Sequence, residues 1–127
     1  EQYILSIEVE AKLVIDMAKT MIYPAAVEYL SKLSSTAASL TPMGVELDNS
    51  AAKSVAELAN AMMATVKKLG EALEQGGFAT TAEHMQLCAT KLRSLMDKVR
   101  SHADALEAEV ADELWPLPKY QEMLYIK

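Results

Sequence analysis

Ile7-Glu8-Val9-Glu10-Ala11-Lys12-Leu13-Val14-Ile15-Asp16-Met17-Ala18 decides the fold class. Around it, Ile4, Ile7, Ala11, Val14, Ala18, Ile22, Ala25, Tyr29 and Leu33 recur at three- and four-residue steps. That is the period of an amphipathic helix, whose successive turns stack side chains three and four apart on one face. Leu5, Val9, Leu13 and Met17 add a second apolar row, leaving Glu8, Lys12, Asp16 and Lys19 as a narrow solvated stripe. The pattern predicts a helix with neighbours on two sides. Pro24 lacks an N–H and crowds the carbonyl of Thr20, yet the seam stays in phase across it. Tyr23 also has no short acceptor to cap a fresh helix, so a kink is expected rather than a break.

Outward from this helix, the Ser/Thr cluster of Ser34 to Asn49, with Pro42 and Gly44, reads as a loop in which Met43, Val45 and Leu47 lie over a bundle end. Asp48, Asn49 or Ser50 can then cap a second helix carrying Ala51, Val55, Leu58, Met62, Val66, Leu69 and Leu73, stopped at Gly76-Gly77. Thr80 and Glu83 have capping-box spacing ahead of Met85, Cys88, Leu92, Leu95, Val99, Leu106 and Val110. Helices are expected over about 4–34, 49–75 and 80–112. Three helices joined by short turns bury their stripes by running up, down and up, so residues 1–113 are expected to form an all-α antiparallel three-helix bundle. No repeat or low-complexity segment interrupts them.

Residues 114–127 differ from the rest: they hold three of the seven aromatics and two of the four prolines. Proline-locked, aromatic segments offer large apolar area at small ordering cost. The stretch is expected to be a docking tail with a short helix starting at Pro118, and its contact residues are Trp115, Pro116, Pro118, Tyr120, Met123, Leu124 and Tyr125.

Composition narrows the function. A net charge of −6 and a pI near 4.9 disfavour nucleic acid, whose phosphates need clustered Lys and Arg. Charged residues interrupt every apolar run well short of the ~18 residues of a membrane span, and no signal peptide is evident. Cys88 is the one cysteine, which fits a reducing, cytoplasmic setting. The chain opens on Glu1-Gln2 close to a running helical pattern, and is expected to be a piece of a longer protein.

Few residues in the sequence are spaced for chemistry. Gly44, Gly70 and Gly76-Gly77 sit in no phosphate-cradling frame. The residues three before His84 and His102 are Thr81 and Val99, which does not give the Glu-x-x-His of di-metal bundles. His84 and Cys88 share a helical face but supply two ligands where zinc takes four. His84 as a phosphoacceptor would need cationic and small neighbours, and beside it stand Glu83 and Met85. Met17, Met62, Met85 and Met96 fall on or beside the stripes, where methionine fills core gaps. No catalytic, cofactor-binding or metal residue is assigned.

Two blocks carry a family resemblance. Glu8 to Ala18, followed by Ile22-Tyr23-Pro24-Ala25 and Tyr29, is one; Asp104-Ala105-Leu106-Glu107 and then Leu114-Trp115-Pro116-Leu117-Pro118-Lys119-Tyr120-Gln121-Glu122-Met123-Leu124 is the other. Both resemble the C-terminal region of type III glutamine synthetases. That family makes glutamine from glutamate, ammonia and ATP with a divalent metal such as Mg, in double-ring homo-oligomers. Its catalytic barrel lies upstream of this region. The resemblance implies a non-catalytic helical appendage that packs on the catalytic domain and neighbouring subunits and holds no cofactor itself. The rival expectation is a free-standing helical interaction or His phosphotransfer module with an exposed His84.

Overall fold

The computed structural model describes residues 2–76, 81–110 and 114, with the side chains of 2–5 left aside. Its elements are α1 (Gln2–Met17), a π-helical turn (Ala18–Ile22), α2 (Tyr23–Leu40), a 3-10 turn (Thr41–Met43), α3 (Ser50–Gly76) and α4 (Ala82–Glu109). Among the described residues there is no strand. Met17, Ile22 and Tyr23 all keep right-handed helical dihedrals, so α1, the π turn and α2 form one continuous rod, and the fold is all-α with three long helical rods.

Pro24 neither breaks the rod nor stands in an ordinary α-helical turn. The Tyr23 amide donates to the Ala18 carbonyl five residues back, and the π turn places its extra residue immediately ahead of the proline. This insertion also sets the seam. On an α-helix each four-residue step overshoots a full turn by about 40°. Yet Ala18, Ile22 and Ala26, four apart in succession, are all buried. The wider turn absorbs the overshoot and keeps all three facing the core.

The first rod runs further than the sequence pattern predicts, to Leu40 rather than residue 34. Ser and Thr read as loop formers because their hydroxyls compete for backbone groups. Here the hydroxyls of Thr36 and Thr41 donate to the carbonyls of Lys32 and Ala37, four residues back, which leaves the helix intact. The stop comes at Gly44, where φ is 79°, a left-handed conformation that suits glycine. Gly44 N–H donates to Thr41 O at 3.0 Å and Val45 N–H to Leu40 O at 3.3 Å, the paired bonds of a Schellman ending. Met43, Val45 and Leu47 are exposed, so they do not cover a bundle end as expected.

Asp48 provides the start of α3: its carboxylate accepts from the Ser50 amide at 3.0 Å and lies 3.1 Å from the Ser50 hydroxyl. At α4 the expected cap moves by one residue. Thr81, extended at φ −107° and ψ 154°, accepts from the His84 amide at 3.1 Å, so the N-cap is Thr81 and His84 occupies the third helical position where the capping box had placed Glu83. The helix ends at Glu109, ahead of the expected residue 112, because Val110 turns extended.

One core joins the three rods. Ile7, Ala11, Ala18, Ile22 and Ala26 meet Val55, Ala59, Met62, Val66 and Leu69 of α3 and Leu92, Met96, Val99 and Leu106 of α4. The first rod contributes mostly alanine, which lets its backbone come close; α3 and α4 supply the volume. Among the described residues Thr65 is the buried polar one, and its hydroxyl donates to the Ala61 carbonyl at 3.0 Å. At one end Ser54 of α3 meets Glu109 of α4 at 2.8–2.9 Å. At the other, a Cβ placed on Gly76 would lie 3.8 Å from that of Cys88 and 4.0 Å from Glu8 Oε1.

Candidate docking surface

The first rod has two faces of opposite character. Its seam is sealed, with Ala11 and Ala18 fully buried, while Val9 and Leu13 on the second apolar row are 56% and 57% exposed. Met17 and Met21 continue that row and are also exposed. The rod does have two neighbours, α3 and α4, but neither covers this second row, and Met17, read from the sequence as core packing, is at the surface. Met62 and Met96 do lie in the core.

Beside the row runs a groove of about 400 Å³ between the rod and α4. Leu13, Val14, Met17 and Ile22 form one wall and Val99 and Ala103 the other, with Glu10, Arg100 and Asp104 at the rim. Across the rim Arg100 Nη2 contacts Glu10 Oε1 at 2.7 Å, and Arg100 Nη1 lies 3.6 Å from Asp97. Both members of the first pair are half exposed, so it contributes on the order of 0.2–1 kcal/mol and acts mainly to fix how α1 lies on α4. An apolar floor with a paired, charged rim suits apolar side chains flanked by polar ones. The π turn adjoins this groove, since Met17 precedes it and Ile22 closes it.

His84 and Cys88 sit in the first turns of α4, His84 exposed and Cys88 half-buried. The shallow surface around His84 is lined by Glu83, Gln86, Leu87 and Thr90, with no cation among them. Among the described residues no three His, Cys, Asp or Glu side chains are grouped so as to hold a metal. No helix of the described residues is long and apolar enough to cross a membrane. The tail residues Trp115, Pro116, Pro118, Tyr120, Met123, Leu124 and Tyr125 lie outside the described residues. Leu114 is described, and packs half-buried against the core cluster.

A family model described as the glutamine synthetase C-terminal domain matches residues 1–41. Two curated relatives align with the whole chain at 26% identity: a glutamine synthetase of Bacteroides fragilis (strain YCH46) and a type-3 glutamine synthetase of Dictyostelium discoideum. The glutamine synthetase resemblance holds. The chain spans about a fifth of these relatives' length, 19% of the first and 18% of the second. The segment matched to the glutamine synthetase C-terminal domain coincides with the first rod, from the start of α1 through the π turn to the end of α2. The exposed row and one wall of the groove therefore lie on the glutamine synthetase match, and the other wall on α4 beyond it.

Proposed function

We propose that this chain is the C-terminal helical domain of a type III glutamine synthetase and serves its packing and oligomer assembly without contributing catalytic residues. The observation that carries the reading is the alignment of the entire chain with about a fifth of two glutamine synthetases, together with the family match on residues 1–41. The parent enzyme would ligate ammonia to glutamate at the expense of ATP, with Mg, in the cytoplasm. Its catalytic domain would lie elsewhere in the longer protein. The three rods would pack up, down and up, a reading supported by Ser54 meeting Glu109 at one end of α3 and α4 and Gly76 approaching Cys88 at the other.

The partners in this reading are the catalytic domain and neighbouring subunits of a homo-oligomer. The apolar row on α1 and the groove toward α4 support it, because they leave large side chains uncovered within the chain. The tail from Trp115 to Tyr125 would dock on the same assembly. His84 is exposed, as the phosphotransfer alternative requires, but its surroundings of Glu83, Gln86, Leu87 and Thr90 lack the cations that would stabilise a phosphorylated imidazole.

Supplied with glutamate, ammonia and ATP–Mg, the isolated chain should form no glutamine, and turnover would contradict the non-catalytic role. Deleting residues 114–127 from the full-length protein should reduce oligomer size or thermal stability. If both are unchanged, the tail does not dock.

A further inference from the structure

We propose that α1 pairs with α1 of a second copy of this chain, antiparallel and centred on Leu13. At about 100° per residue, Val9, Leu13 and Met17 follow one another at four-residue steps on the side of α1 opposite Ala11 and Ala18. Such a row is the ridge that interdigitates with an equivalent ridge at a crossing of about 50°. Setting Leu13 against its own counterpart brings Val9 of one copy against Met17 of the other, twice, by the two-fold symmetry of an isologous contact.

The occupant is chosen by charge. Lys12 and Asp16, both exposed, lie along one flank of the row on either side of its centre. Among the described residues no ion pair engages either. In an antiparallel pair of helices, like flanks face each other in reversed order. Reversal about Leu13 exchanges the two positions, so each charge meets its opposite: Lys12 falls nearly level with Asp16 of the second copy, and Asp16 with its Lys12. The flank is complementary to itself in the register that the apolar row selects. Because the ridges cross, the contact is confined to a few turns and falls below the ~1,200–2,000 Å² of a permanent interface. Association should therefore be concentration-dependent. The inference rests on α1 alone and stands whether or not the chain serves a glutamine synthetase.

Sedimentation velocity on the whole chain, over a range of concentrations, tests it through two charge reversals. Lys12→Glu sets a carboxylate against Asp16 of the second copy, and Asp16→Lys sets an ammonium group against its Lys12. Each variant alone should dimerise about tenfold more weakly than the parent chain. An equimolar mixture of the two should recover the parent's association, because each then meets the opposite charge in trans. No rearrangement within one helix produces that recovery, and circular dichroism of each variant checks that the fold is kept. A chain monomeric at every concentration, a dimer indifferent to both reversals, a mixture that fails to recover, or dimerisation that appears only after removal of residues 115–127 would each overturn the proposal. The last result would assign the face to the tail.

Discussion

The Tyr23 amide bonds the Ala18 carbonyl, five residues back, in the turn immediately before Pro24. That one bond connects three features of the first rod: a proline held without a break, a seam that stays in phase through a run of four-residue steps, and the siting of Met17 and Ile22 beside the groove. Ala18 within the turn and Ala26 one turn beyond it are both fully buried in the core.

Ala18→Leu or Ala26→Leu should therefore destabilise the chain by about 1–3 kcal/mol through overpacking. Lys19→Ala, on the exposed side of the same turn, should stay within about 0.5 kcal/mol. Urea unfolding followed by far-UV circular dichroism measures the difference. Equal effects at buried and exposed positions would mean that the turn is not packed as described.

The core's volume resides in α3 and α4. Met62 and Leu69 are both completely buried, so Met62→Ala and Leu69→Ala should each cost about 2–5 kcal/mol by leaving a cavity. Leu87 is 66% exposed, and Leu87→Ala should cost far less. Thermal melts of the three variants rank them; a melt for Leu87→Ala as low as that for Leu69→Ala would contradict the placement of α4.

Thr81 is the residue that caps α4. Thr81→Ala should lower stability by about 1 kcal/mol, and Thr81→Ser, which keeps the hydroxyl acceptor, should retain most of it. Chemical denaturation of both variants decides whether the hydroxyl or merely the side-chain bulk matters.

The Arg100–Glu10 contact is short but half exposed. A double-mutant cycle with Arg100→Ala and Glu10→Ala should yield a coupling of about 0.2–1 kcal/mol, shrinking as salt is raised toward about 1 M. Coupling that survives high salt would show that the pair is shielded from solvent and that the groove rim is closed.

Much of the architecture was legible in the sequence because helical periodicity is a local property. Apolar residues at three- and four-residue steps located the seams carried by Ile7 and Ala11, by Val55 and Met62, and by Leu92 and Val99. The misplaced boundaries arose where one residue type serves two local conformations. Threonine hydroxyls that bond carbonyls four residues back continue a helix at Thr36 and Thr41, and the same residue type at Thr81 begins one. Spacing alone could not choose between Thr80 and Thr81, because the choice depends on where the backbone turns extended.

By itself the sequence determined the helical character of the described residues and a resemblance to the glutamine synthetase C-terminal region that the family match on residues 1–41 bears out. Only the tertiary structure decided which of the two apolar rows on α1 faces inward. Periodicity reports that a row exists, while its burial depends on where the other rods lie. Packing of α3 and α4 against the alanine seam sealed one row and left Val9, Leu13 and Met17 in solvent. The π turn was likewise settled in three dimensions, since an extra residue in one turn is favourable only when the core on both sides holds the seam to a single face.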